Sequence, residues 1–368
     1  MSDQPPACFD LTLTEEQRIT RESLRRFVAS HIKPVMRQAD EAAQAPAGFY
    51  KQANELGLCL MPIPEALGGA GMQRSPIANM LNAEDLGEGD MGLAIGALTP
   101  LSFVNAVLDF GTQAQQETYL TPMASEQPET ATIALMEPRA TFEASELQTL
   151  AQPVADGYRI NGVKNLVPLA DQARFILVLA SVEGEGSHAG FVVERDAEGV
   201  SITRESFMGL RPLSLNRVAL EDVVVPPSAR INVDLNRLLD LSSIGLAAVT
   251  VGCCQAVLDY VVPYVNERTA FGEPISHRQS VAFMVADMAT ELEAMRLMVY
   301  RAASRAEQGL DFHENAYWCR AFCAEKAMEI GTNGVQLLGG HGFIREHPVE
   351  LWYRNLRAAA LLQGAACI

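Results

Sequence analysis

No stretch of this 368-residue chain runs through about 18 apolar residues without a break, the length a membrane-crossing helix needs. The nearest, residues 244–265, is interrupted by Gly252, Gln255, Asp259 and Pro263. Cysteine is sparse and unpatterned. The seven, Cys8, Cys59, Cys253, Cys254, Cys319, Cys323 and Cys367, form no Cys-x-x-Cys pair, and Cys319 and Cys323 have no further ligands at metal spacing. That excludes a disulfide framework and a zinc knuckle, and no metal site is expected. Basic residues are also few: 28 Lys and Arg face 45 Asp and Glu, for a formal charge of −17. Such a balance excludes a general binder of nucleic acid or anionic membrane, although a single local Arg would still hold a phosphate. The opening MSDQPPACFD lacks the basic and apolar blocks of a secretory leader, so a cytoplasmic location is expected.

What the sequence does contain falls into three parts. Thr14 to Gln17 reads as a capping box, followed by Ile19, Leu24, Phe27, Val28 and Ile32 at helical spacing until Lys33-Pro34. Helical patterns return over residues 49–58, 80–86 and 91–110, the last two rich in small residues and expected to be buried. Past Thr130 the period changes. Residues 151–165 predict a hairpin turning at Asp156-Gly157, and short strands are expected at 175–181, 189–193, 200–203, 218–220 and 223–225. Their spacing predicts a compact antiparallel unit. From Leu235 the helical period resumes in long segments at 238–266, 278–308 and 313–338, with a shorter one after Pro348, which together predict an antiparallel bundle. The expected architecture is therefore α+β: an N-terminal helical domain (1–128), a middle β-barrel-like domain (129–232) and a C-terminal four-helix bundle (233–368).

Local motifs sharpen this order. They include Pro64-Glu65-Ala66-Leu67-Gly68-Gly69-Ala70-Gly71, Ala134-Leu135-Met136-Glu137-Pro138, and Gly157-Tyr158-Arg159-Ile160-Asn161-Gly162-Val163-Lys164. Further on come Met208-Gly209-Leu210-Arg211, Glu267-Arg268-Thr269-Ala270-Phe271-Gly272 with Gln279, and Gln336-Leu337-Leu338-Gly339-Gly340-His341-Gly342-Phe343 followed by Glu346-His347-Pro348. In sequence order, over nearly the whole chain, these resemble the acyl-CoA dehydrogenase family of flavoproteins.

The resemblance implies FAD as cofactor and an acyl-CoA thioester as substrate. It also implies an oligomer and electron transfer to an electron-transferring flavoprotein. In that chemistry a carboxylate removes the proton α to the thioester carbonyl while hydride passes from the β carbon to the flavin. Here the chain departs from the family. Gln363 stands where the family's usual Glu base would be, and an amide has no protonation step to use near neutral pH. An alternative base position near the start of the first bundle helix falls on Ser242. On the flavin-ring side Met136 replaces a Thr and Leu166 replaces the Trp expected to cover the ring. Pro168 replaces a hydroxyl residue expected to donate near N5, and proline lacks even an N–H.

The adenine and pyrophosphate half, which the family lends across a dimer interface, is better kept. Arg268 matches a pyrophosphate ligand and Phe271 the aromatic near it. Gln279 and Gln336 match polar groups beside the adenosine, and Gly339 and Gly340 allow close backbone approach. Ala365 lacks the Thr hydroxyl of the family pattern, and Ile368 follows three residues later, where relatives continue for another helical stretch. His341 reads as a capping or surface residue. Three functions follow from these departures. The favoured one is a catalytically impaired subunit that completes a partner's FAD site. The others are an active dehydrogenase with its base relocated to Asp240 or Glu143, and an enzyme that eliminates a substituent from an acyl-CoA without oxidation.

Overall fold

A computed structural model describes residues 12–368; Cys8 and the stretch tested for a leader lie outside them. The N-terminal part is helical. Helix α1 (Glu15–Phe27) opens on the expected capping box, with the Thr14 hydroxyl accepting from Gln17 N and the Gln17 side chain accepting from Thr14 N. The helix passes into a single π turn, Val28–Ile32, and stops at the proline. Short helices α2 (Met36–Ala42) and α3 (Phe49–Asn54) follow, then α4 (Pro76–Gly89), α5 (Met91–Phe110) and α6 (Gln113–Leu120). Helices α2 and α6 are absent from the periodicity reading because each is barely two turns long.

Eight strands form the middle sheet, in the order β6-β7-β3-β2-β4-β5-β8 with β1 added beside β4. They are β1 (Ala131–Ala134), β2 (Leu150–Val154), β3 (Gly157–Pro168), β4 (Phe175–Val182), β5 (Ser187–Glu194), β6 (Val200–Glu205), β7 (Leu215–Val225) and β8 (Arg230–Ile231). The β2–β3 hairpin turns where Asp156-Gly157 predicted it. Gly157 is required there: its φ is +140°, and a Cβ would lie 2.0 Å from the Val225 carbonyl oxygen. Two expectations need correction. The sheet is not wholly antiparallel, because β1 and β2 both run parallel to β4. The strands expected at 218–220 and 223–225 are one continuous β7, which keeps its pairing with β3 past Asp222 at φ +53°.

The bundle consists of α7 (Leu235–Glu267), α8 (Gln279–Glu307), α9 (His313–Leu338) and α10 (Val349–Leu356). A two-stranded turn, β9 (Thr269–Ala270) with β10 (Glu273–Pro274), joins α7 to α8. Helices α5 and α7 are apolar enough on average to cross a membrane, yet 94% and 83% of their most apolar windows are buried inside the protein. Helix α5 from Met91 to Val107, and α7 over its middle, are apolar on most sides because they are core there, while Asp259, Val262, Asn266 and Glu267 near the end of α7 are exposed. Helices α4 and α7 touch backbone to backbone. A Cβ on Gly87 would lie 2.2 Å from Val249 O, and one on Gly252 2.0 Å from Glu84 O.

Candidate functional site

The residues singled out in the sequence gather at two places. The first lies where β1, β3 and the segment after α10 meet. Met136 follows β1 and its carbonyl accepts from Asn165 N at 2.9 Å, which ties it to β3 one residue before Leu166. Leu166 sits at φ +53° in a β3–β7 irregularity and lines an apolar cavity of about 280 Å³ with Phe207, Met208, Leu215, Leu361 and Leu362. Gln363, half-buried, follows directly, and a Cβ on Gly364 would press on the Leu135 side chain at 2.9 Å. Pro168 is buried at the end of β3, paired with Leu215.

Beneath this surface lies a buried ion pair that the motif reading quoted without assigning. Lys164 Nζ is 3.0 Å from both Glu137 Oε1 and the Leu135 carbonyl oxygen. Glu137 also accepts from Gln148 N, from Thr149 N and from the Thr149 hydroxyl. Burial pushes the Lys164 ammonium down to about 8, against the pull of Glu137. Burial would raise the Glu137 carboxyl, but the Lys164 charge and the backbone donors bring it below the ordinary carboxylate value. The pair clamps residues 135–137 onto β3. It was not readable in the sequence because its members are 27 positions apart and differ in local structure.

Of the candidate replacement bases, Asp240 is already hydrogen-bonded and Glu143 is exposed. Asp240 faces the start of α9, where both its oxygens lie 3.0 Å from His313 Nδ1. Burial raises its pKa and the His313 hydrogen bond opposes that rise. Ser242 Oγ donates to the Ala365 carbonyl at 2.7 Å, and Glu143 is exposed on a loop.

The second place is one end of the bundle. Arg268 caps α7, Phe271 tips the β9–β10 turn, Gln279 begins α8, and Gln336, Gly339 and Gly340 close α9. All six are exposed, and none lines the cavity at Leu166. Among the described residues the Arg268 guanidinium has no hydrogen-bond or ion-pair partner. Phe271 is 95% exposed at φ +57° and Phe343 is 88% exposed. A Cβ on Gly339 or Gly340 would meet nothing within 4 Å, so the face is open to a ligand or another chain.

Profiles of known families match every part of this architecture. The acyl-CoA dehydrogenase N-terminal domain matches residues 14–127, the middle domain 132–223 and the C-terminal domain 231–368. The chain belongs to the acyl-CoA dehydrogenase family. A probable acyl-CoA dehydrogenase of Bacillus subtilis (strain 168) is 34% identical over 96% of each chain. The caffeyl-CoA reductase–Etf complex subunit of Acetobacterium woodii is 30% identical, again over 96% of each chain. Among solved structures, butyryl-CoA dehydrogenase from Megasphaera elsdenii superposes with a TM-score of 0.87 at 28% identity, covering 95% of this chain and 94% of that one.

FAD is the cofactor of this family, and the two places fit it unequally. Around the cavity at Leu166 most polar groups are already used, the exceptions being the Arg357 guanidinium, which lines it, and the buried Asn165 Oδ1, which has no partner among the described residues. Leu210 N donates to Asn355 Oδ1 at 2.7 Å, Asn165 N to Met136 O, and Arg354 to Asp40 and Glu350. Apolar Leu166, Met136 and Pro168 add no side-chain donor, so the polar edge of an isoalloxazine would meet few donors there beyond Arg357. The bundle end fits its half: Arg268 could grip a diphosphate, and the open glycine turn leaves room for it.

Proposed function

We propose that this chain is the non-catalytic subunit of a mixed acyl-CoA dehydrogenase assembly. It lends Arg268, Gln279, Gln336 and the 339–340 glycines to FAD held mainly by an intact homologue. The homologue supplies the carboxylate base and the ring pocket for α,β-dehydrogenation of an acyl-CoA. The observation that carries this reading is the asymmetry between the two places. The ring side is largely apolar and ends in Gln363, whereas the bundle end presents an unpaired guanidinium and two exposed aromatic rings. Phe271 supports it further. A non-glycine residue at positive φ costs free energy, and the almost fully exposed phenyl group has in return only a cation–π contact from Arg278, 5.7 Å from the ring centroid. A surface waiting for a second chain accounts for both. The Acetobacterium relative is named as part of a complex with an electron-transferring flavoprotein, and we assign the same class of acceptor to this assembly.

The test is to purify the chain alone and together with a homologue that carries the Glu base and the covering Trp, then measure flavin per chain. The mixed assembly should hold FAD and the isolated chain should not. In the mixed assembly, Arg268→Ala should weaken FAD by roughly tenfold to a hundredfold, since a hydrogen bond to a charged group contributes about 1.5–3 kcal/mol. A stoichiometric flavin spectrum from the chain purified alone would overturn the proposal, as would failure to form any mixed assembly.

A further inference from the structure

One stripe of α7 carries Tyr260 and Tyr264, four residues apart and therefore on one face, and leads to Arg268 at the C-cap. The two tyrosines meet histidines from the segment after α9. Tyr260 Oη lies 2.7 Å from His347 Nδ1, and Tyr264 Oη lies 2.8 Å from His341 Nδ1 and 3.4 Å from the Leu338 carbonyl oxygen. The two imidazoles stack, with centroids 5.1 Å apart and planes 15° from parallel. His347 is anchored in turn, since its carbonyl accepts from Arg37 at 3.0 Å. His341, flanked by Gly340 and Gly342, is thus the one side chain of the glycine turn held on two sides. Among the described residues nothing bonds its Nε2.

We propose that His341 is a further ligand for the diphosphate of the partner-held FAD, with Tyr264 as its positioning residue; this rests on the shared-site reading above. The Tyr264 hydroxyl suits both protonation states that present an Nε2–H. It donates to Nδ1 when the imidazole is neutral with its proton on Nε2. When the imidazole is charged, Tyr264 accepts from Nδ1–H and donates to Leu338 O. In both of these states Nε2 carries a proton and can donate, and the α7 stripe that orients the ring ends at Arg268. The stack on His347 restricts ring rotation, so little entropy remains to be lost when an anion arrives.

The experiment strips flavin from the mixed assembly of the full chain and titrates FAD back, with subunit composition checked by size. His341→Phe keeps the stack but removes the donor, and should weaken FAD about tenfold, the range for one charge-assisted hydrogen bond. Tyr264→Phe should weaken it several-fold although it touches no ligand. Tyr264→Phe combined with His341→Phe should be no worse than His341→Phe alone, because the tyrosine acts only through the histidine. His341→Asn, which restores a side-chain N–H, should recover part of the loss. A purely structural role would instead give no recovery with Asn. If Arg268→Ala weakens FAD while the His341 variants bind as the unmodified chain does, this inference falls alone. If Arg268→Ala has no effect, the shared-site reading falls and takes the inference with it.

Discussion

Replacing Lys164 by Met removes the cation of the buried pair while nearly conserving volume. Glu137 would then be a buried carboxylate left with only Arg139, 3.6 Å away, as counter-ion, and the Leu135 carbonyl would lose its 3.0 Å donor. Breaking a buried ion pair from one side costs about 3–5 kcal/mol. Glu137 keeps three donors from Gln148 and Thr149, and the variant no longer has to desolvate an ammonium that burial already disfavours. The loss should therefore lie near the low end, about 3 kcal/mol. Replacing Glu137 by Gln as well removes the stranded charge yet leaves an acceptor for Thr149. The double variant should lose only about 1–2 kcal/mol, the cost of an orphaned neutral group.

Urea unfolding at neutral pH measures both. A single variant within about 1 kcal/mol of the unmodified protein, or a double variant no better than the single one, would refute this account of the clamp. The pH dependence gives an independent check. Lys164 has a folded pKa of about 8, below the ordinary lysine value, so the folded state releases this proton before the unfolded state does. Stability from this group is then present above the unfolded value and lost as pH falls through about 8. Relative to Lys164→Met, the unmodified protein should gain stability as pH rises from about 8 toward the unfolded lysine value.

Gln363→Glu alone should not produce acyl-CoA-dependent dye reduction, because a carboxylate helps only when substrate and flavin are aligned with it; robust turnover would show that the ring pocket is intact. Gly252→Ala should destabilise by at least about 1–3 kcal/mol in thermal or urea unfolding, since its methyl group would drive the Glu84 carbonyl and α4 away from α7. Phe271→Asn should hold or raise the melting temperature of the isolated chain, because Asn tolerates positive φ better, while weakening the mixed assembly in sedimentation or size analysis; a lower melting temperature with assembly unchanged would contradict the partner-facing role of the ring.

Much of the architecture was legible because it is local. The capping box at Thr14, the turn at Asp156-Gly157 and the long periods of α7, α8 and α9 depend on residues within a few positions of one another, so the sequence displays them directly. The departures from the family pattern at Gln363, Leu166 and Pro168 are visible for a different reason: an absent carboxylate, indole or N–H is a property of the residue itself, whatever the fold does with it. Distant pairings were not legible. Strand β1 joins β4 across about forty residues, and Asp222 bends β7 without ending it. Lys164 meets Glu137, and Tyr264 meets His341, from elements whose own patterns require only burial or exposure. Which residues carry function-bearing groups was therefore determined by the sequence alone. Which of those groups face one another, and which, like Arg268, have no hydrogen-bond or ion-pair partner among the described residues, was decided by tertiary packing, because hydrophobic periodicity specifies a buried face but not the neighbour that buries it.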